Sequence, residues 1–369
     1  MMSCKPAVAL RLPHDPILLS TLPGWPNRLT ADPVSFCTAC QRSLAGLQHA
    51  KIPRAAPFAA APVSALLATL VQDLATLPAD TATVRAWCEQ HLLAWPLAPD
   101  TPTRMTGYYE PVIDAAEAPS DHFPAPIWRL PPQDTPTPLP VRAAITAGAL
   151  AGLELAWLPD RIEAFFLEIQ GSGVLQLPDG RQRRVNYAGS NGHRYVAIGT
   201  ALLRSGAIPR AEMSMDAIKR WLYAHPDEAD RVMHLNPSQV FFRWVDADGP
   251  IGTWGVPLTA GHAVAVDPAH TPLGAPVWLA PTTPTPALPA PLLAPLPAPR
   301  LVLAQDTGGA IKGPGRIDLY LGTGAAAGRQ AGALDTHIHA WMLLPRALGG
   351  GSWPHKKEGV GTSPHGLKA

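Results

Sequence analysis

Residues 306–324 read DTGGAIKGPGRIDLYLGTG and set two aspartates, Asp306 and Asp318, around a glycine-rich turn that also holds Lys312 and Arg316. Three chemistries fit this outline: a phosphate cradle, a metal loop, or a barrel hairpin presenting a catalytic acid. A phosphate loop needs Gly-Lys-Ser/Thr opening a helix whose amides meet the phosphates. Here Gly313 and Pro314 follow Lys312, and the β-prone IDLYLG comes next, so no helix start is available. A calcium loop needs oxygen ligands at alternating positions, yet no other carboxylate lies between Asp306 and Asp318. The hairpin remains. A general acid works best near an apolar wall that raises its pKa, and Ile317, Leu319 and Tyr320 surround Asp318. Strand alternation puts Asp318 and Tyr320 on one face and Ile317 and Leu319 on the other. Each aspartate also has a structural alternative, capping a turn by accepting backbone amides. The Thr-Gly-Gly after Asp306 gives that role equal weight there.

Other ligand-type residues are weaker. His337 and His339 alternate on one strand face, but no third ligand lies near them in sequence, so they read as structural or surface residues. Cys37 and Cys40 form a C-x-x-C without a second pair, which is half a zinc set. They read as free or disulfide-linked neighbours. No metal or other cofactor is expected.

The elements that must position the aspartates come from 369 residues, enough for two domains or one large domain with an insertion. Apolar residues at 47% allow a sizeable core, while a net charge of +1 argues against nucleic acid as a partner. The 44 prolines show no period and read as rigid connectors. No run of roughly 18 apolar residues is present to span a bilayer as a helix. The opening MMSCKPAVALRLPHDP lacks the pattern of an export signal.

Leu66, Leu67, Leu70, Leu74 and Leu77 recur at helical steps and predict a helix over 63–77. A second helix is capped near Asp80 or Thr81, with Val84, Trp87, Cys88, His91 and Trp95 on its apolar side, which makes His91 a core residue. TGYYEPVI at 106–113 is β-prone, a short helix is expected near 142–150, and another near 214–224 starts at Ser214. FFLEIQ and VLQL read as strands, with Pro178-Asp179-Gly180 as a turn. The last third, with PLTAGHAVAVDP, APVWLA, RLVLAQDTGG and RIDLYLGTG, suits a small barrel. The Pro-rich insertion at 281–299 reads as an extended, polyproline-like hairpin.

Several motifs in order then make the sequence similar to the membrane-bound lytic murein transglycosylase A family. They are TGYYEP (106–111), QGSG (170–173), NYAGSNGHRY (186–195), NPSQVFFRW (236–244), PLTAGHAVAVDP with PLGAPVWLA, and AQDTGGAIKGPGRIDLYLGTG. The last block also resembles the small 3D domain, whose three aspartates are matched by Asp267, Asp306 and Asp318.

The resemblance implies a mainly β fold with flanking helices: a double-psi β-barrel plus a smaller inserted β-rich domain, with a groove between them. Residues 1–111 would supply N-terminal helices and the first part of the barrel, 112–243 the insert, 244–345 the rest of the barrel, and 346–369 a flexible tail. It implies cleavage of the β-1,4 bond between N-acetylmuramic acid and N-acetylglucosamine in peptidoglycan, leaving a 1,6-anhydro end. Asp318 matches the general acid/base, Asp306 its supporting aspartate and Asp267 the third member. Tyr108, Tyr109, Gln170, Ser172, Asn186 and Lys312 are the candidate glycan contacts. The partner is the peptidoglycan glycan strand, with cell-wall complexes possible in principle and a monomer expected. The compartment implied by the substrate is the periplasm, in association with the outer membrane. A non-catalytic glycan-binding barrel is the alternative.

Overall fold

A computed structural model describes residues 15–25, 33–48, 61–282 and 299–346. The Pro-rich stretch from 283 to 298 and the tail from 347 onward lie outside the described residues.

The chain begins with α1 (Pro33–Gln48), α2 (Ala61–Thr76) and α3 (Thr81–His91). The predicted cap holds: the Asp80 carboxylate accepts from the Thr83 amide at 2.8 Å. His91 is a correction. It is exposed, stacked on Trp87 with ring centroids 4.6 Å apart, because it occupies the last position of α3, where the chain turns into a strand. Trp95 likewise leaves the helix and belongs to β1 (Leu92–Pro96).

The barrel is then assembled from distant segments. β2 (Thr103–Glu110) enters it, and after the insert come β9 (Ala263–Ala265), β10 (Pro276–Pro281), β11 (Arg300–Asp306), β12 (Arg316–Thr323), α9 (Ala325–Ala333) and β13 (Asp335–Pro345). Strand order runs β1-β13-β10-β11-β9-β12-β2, and β13 also pairs with β2, which closes six strands and leaves β1 appended. β11 runs parallel to β9 and β12 parallel to β2; the other pairings are antiparallel. A closed barrel has no free edge. Its interior and helix-covered flank share one core that includes Trp278, Val302, Leu303, Ile317 and Leu319.

Between β2 and β9 lies the smaller β-rich unit. Its strands are β3 (Val112–Asp114), β4 (Ala125–Trp128), β5 (Glu154–Leu158), β6 (Ser172–Gln176), β7 (Gln182–Ser190) and β8 (Val240–Val245). β3-β6-β7-β8 form one sheet and β4-β5 a second. The helices are α4 (Arg142–Ala144), continued by a π-turn over Ile145–Ala149, α5 (Arg161–Gln170), α6 (Ile198–Arg204), α7 (Met215–Ala224) and α8 (Pro226–Met233). The expected cap at Ser214 is present, its hydroxyl accepting from the Ala217 amide at 3.1 Å.

FFLEIQ is the main correction, since it is helical. Asp160 caps α5 by accepting from the amides of Ile162 and Glu163, both at 2.8 Å, and Gly171 with φ +78° ends it. Ile162, Phe165 and Phe166 pack toward α7 and α8, while Ala164 and Leu167 pack under the sheet. A helix that buries apolar residues on two sides shows no clean stripe. The six-residue window FFLEIQ also leaves out the Asp160 cap and the first turn that mark it as a helix. Its buried Glu168 is gripped by Arg142 through bonds of 3.0 and 2.7 Å.

Candidate active site

Asp306 and Asp318 arrive on β11 and β12, the two neighbours of β9, and each is in register with Ala265. On the far side of β12, β2 brings Thr106 opposite Asp318 and Tyr108 opposite Tyr320. Thr106 and Tyr108 are alternate residues and share a face. The Thr106 hydroxyl donates to Asp318 Oδ1 at 2.5 Å, and the Tyr108 hydroxyl donates to Asp306 Oδ2 at 2.9 Å.

The two carboxylates differ in how they are held. Asp306 accepts four bonds: from Tyr108, from the Thr253 amide (2.9 Å) and hydroxyl (3.1 Å), and from its neighbour Thr307 (2.9 Å). The Thr253 loop comes this close because Gly252 has no side chain; a Cβ there would sit 2.6 Å from the Gln305 carbonyl. Behind the strand, buried Gln305 donates to Ala39 O and Ser43 Oγ of α1, which fixes β11 beside Asp306. Burial raises the Asp306 pKa, and these donors oppose that rise.

Asp318 is half-buried and, among the described residues, takes one hydrogen bond, from Thr106. Burial raises its pKa to about 6; the Thr106 bond and the Arg316 charge pull it down, and the Asp306 charge pushes it further up. Ile317 and Leu319 point into the core and Tyr320 is buried against Tyr108, as alternation requires. Arg316 donates to Thr106 Oγ1 at 2.8 Å and to the Ile317 carbonyl at 2.6 Å. Opposite it, Arg104 is held by Asp335 in a two-pronged pair of 2.8 and 2.7 Å.

Asp267 lies just past β9. Partial burial would raise its pKa, but the amides of Gly313 (2.8 Å) and Ala269 (3.1 Å) and the Lys312 charge hold it below the usual range. It therefore ties down the turn between β11 and β12. Lys312 on that turn is exposed.

The remaining expected contacts lie toward the insert. Tyr109 faces away from Tyr108 and packs on α9, where a Cβ at Gly328 would be 2.8 Å from its ring. Its amide donates to Gln170 Oε1 at 3.2 Å, and Gln170 Nε2 reaches Met215 Sδ at 3.6 Å, so Gln170 sits where barrel and insert meet. Ser172 and Asn186 are buried register partners on β6 and β7. Asn186 spends its amide on the backbone of Ile251, accepting at 2.6 Å and donating at 2.9 Å. Beside it, Arg184 pairs with the buried Glu110 of β2 at 2.7 Å, so β7 bolts both chain crossings to the barrel.

His337 and His339 are exposed, and no cluster of three or more His, Cys, Asp or Glu able to hold a metal occurs among the described residues. Cys37, Cys40 and Cys88 are buried free thiols. Thr106, Thr253 and Arg316 were missed as site residues from the sequence. Thr106 and Arg316 each carried a signal, lying two residues from Tyr108 and Asp318 on the same strand faces. Thr253 carried none.

The fold and this site define a 3D-domain barrel with a β-rich insert between its second and later strands. The family model for the MltA specific insert domain matches residues 104–243, and that for the 3D domain matches 262–344. The chain is 36% identical over 255 residues to membrane-bound lytic murein transglycosylase A of Escherichia coli (strain K12), covering 65% of each chain. Against the Vibrio cholerae protein of the same name it is 36% identical over 248 residues, covering 64% of each. These alignments thus span just under two thirds of either relative's length. The crystal structure of membrane-bound lytic murein transglycosylase from Agrobacterium tumefaciens superposes with a TM-score of 0.79 at 32% identity, over 90% of this chain and 98% of that one. Escherichia coli MltA with bound chitohexaose gives 0.68 at 28% identity, over 90% and 94%. The chain belongs to the membrane-bound lytic murein transglycosylase A family.

Proposed function

We propose that this chain is a lytic transglycosylase of peptidoglycan that cuts the β-1,4 bond between N-acetylmuramic acid and N-acetylglucosamine. The observation that carries the reading is Asp318: half-buried, backed by an apolar strand face, with its pKa raised by burial to about 6 and one hydrogen bond. Such a group is about half protonated near pH 6, where an ordinary aspartate is almost fully ionised, so it can both give and accept a proton. Asp306 is the poorer acid, because four donors already occupy its two oxygens.

In this mechanism Asp318 gives its proton to the glycosidic oxygen as the bond to the muramoyl C1 breaks, and the bonding pair stays with that oxygen. The C6 hydroxyl of the same sugar attacks the oxocarbenium-like C1 and returns its proton to the Asp318 carboxylate. The acid is restored, and the new bond closes a 1,6-anhydro ring. A hydrolytic glycosidase needs a second carboxylate to handle water or a covalent intermediate. Here the acceptor is tethered to the substrate, so one carboxylate suffices. Asp306 supports Asp318 electrostatically, and Asp267 orders the turn that carries Lys312.

Tyr109, Gln170 and Lys312 are our assigned glycan contacts, at the junction and on the exposed turn. Tyr108, Ser172 and Asn186 shape the groove from behind. The glycan strand as partner is supported by the chitohexaose bound to the Escherichia coli relative. Periplasmic, outer-membrane-associated action follows from that substrate and from the membrane-bound naming of the relatives. Among the described residues no helix is long and apolar enough to cross a membrane.

The test is incubation with isolated peptidoglycan and mass analysis of the soluble products. Anhydro-ended fragments are expected, and Asp318→Asn is expected to abolish their release while the protein stays folded. Reducing ends in place of anhydro ends would mean hydrolysis, and binding without release would mean a glycan-holding barrel.

A further inference from the structure

We propose that Arg316 is a positioning residue for Asp318, acting through Thr106 to decide which carboxylate oxygen carries the working proton. The inference rests on Asp318 being the acid/base of the proposed reaction.

The geometry is a directed relay. A guanidinium can only donate, so the 2.8 Å contact from Arg316 obliges Thr106 Oγ1 to accept. The single hydroxyl proton of Thr106 then goes to Asp318 Oδ1, at 2.5 Å. Oδ1 is thereby held as an acceptor, and the acidic proton is directed to Oδ2, to which no hydrogen bond is made among the described residues. Proton delivery and recovery through one defined oxygen shorten the search for a reactive geometry.

The arginine is itself immobilised. Its second nitrogen donates to the carbonyl of Ile317, one residue on, and its stem lies on the face of β12 that carries Asp318. It forms no salt bridge among the described residues. The neighbouring cation, Arg104, is paired with Asp335. A serine or threonine at 106 without Arg316 could turn its proton elsewhere; with it, the hydroxyl has one orientation. Because the guanidinium charge also favours the ionised carboxylate, its removal should move the titration of Asp318 upward.

The experiment measures initial rates of release of anhydro-ended fragments from purified sacculi as a function of pH, with thermal unfolding as a folding control. Arg316→Gln is expected to lower kcat about tenfold, part of what a general acid contributes, with KM little changed and the alkaline limb moved to higher pH. Thr106→Val should do the same, Thr106→Ser should restore most of the rate, and the double variant R316Q/T106V should be no slower than T106V. An unchanged pH limb in R316Q, or losses that multiply in the double variant, would overturn the relay. If instead the wild type releases no anhydro ends, or D318N stays active, the reading of Asp318 falls, and that outcome is separate from the behaviour of Arg316.

Discussion

Asp306 and Asp318 flank a single residue, Ala265 of β9, one from each neighbouring strand. With strands spaced about 4.8 Å apart, their α-carbons stand roughly 10 Å apart across the barrel wall. One strand on the other side, β2, then separates their roles through Thr106 and Tyr108. Asp306 accepts on both oxygens, whereas Asp318 Oδ2 takes no hydrogen bond among the described residues. On the proposed mechanism, two carboxylates of the same type become a support and an acid by what their neighbours donate.

The first consequence concerns activity and pH. Asp318 must be protonated to act, so turnover should fall as pH rises above about 6, the value to which burial pushes it. The Asp306 charge contributes to that rise, so Asp306→Asn should move the alkaline limb to lower pH. A pH–rate profile on soluble fragment release checks both. A limb that stays put in D306N would deny the coupling.

Stability should show the opposite face of the same shift. A carboxyl whose folded pKa lies above its unfolded value favours the folded state at low pH, and that contribution is lost as pH rises through the folded pKa. The window runs from about 4, the unfolded value, to about 6. Asp318→Asn should therefore raise stability at neutral pH by at most about 3 kcal/mol, with little gain near pH 4. Urea unfolding at the two pH values measures the difference.

In the insert, Glu168 accepts from both terminal nitrogens of Arg142, from Gln239 (2.7 Å) and from the Val240 amide (3.0 Å). Both charged side chains are at least nine-tenths buried. Removing one leaves the other uncompensated, so Arg142→Met should cost about 3–5 kcal/mol. Denaturant unfolding should register the loss, and replacing both partners with apolar residues should recover part of it.

Asn186 tests whether a motif residue touches glycan or holds shape. Its side chain is closed on Ile251. Asn186→Ala should cost about 1–2 kcal/mol of stability through the stranded backbone groups. Activity should recover at lower temperature, with KM little affected. A large rise in KM with unchanged melting would make it a direct contact.

Much of the barrel was legible because short β-prone runs bounded by glycine and proline leave a local signature. RIDLYLGTG and APVWLA are strands where those boundaries put them. The helix caps at Asp80 and Ser214 were equally local. FFLEIQ was misread because it packs apolar residues on two sides and, taken alone, omits the Asp160 cap and first turn that reveal the helix. His91 was misread because a periodic pattern does not say where the helix stops.

The sequence by itself determined that Asp306 and Asp318 stand around a turn that leads into a strand, with apolar residues on the face opposite Asp318. It also carried the ordered motifs by which the family is recognised. Only the tertiary structure decided which aspartate keeps an oxygen without a hydrogen-bond donor among the described residues. That choice depends on donors from positions 106, 108 and 253, brought beside 306 and 318 by barrel closure. A pKa is set by burial and by charges and donors within a few ångströms, and residues 53 to 212 positions away in the chain become such neighbours only when the barrel closes.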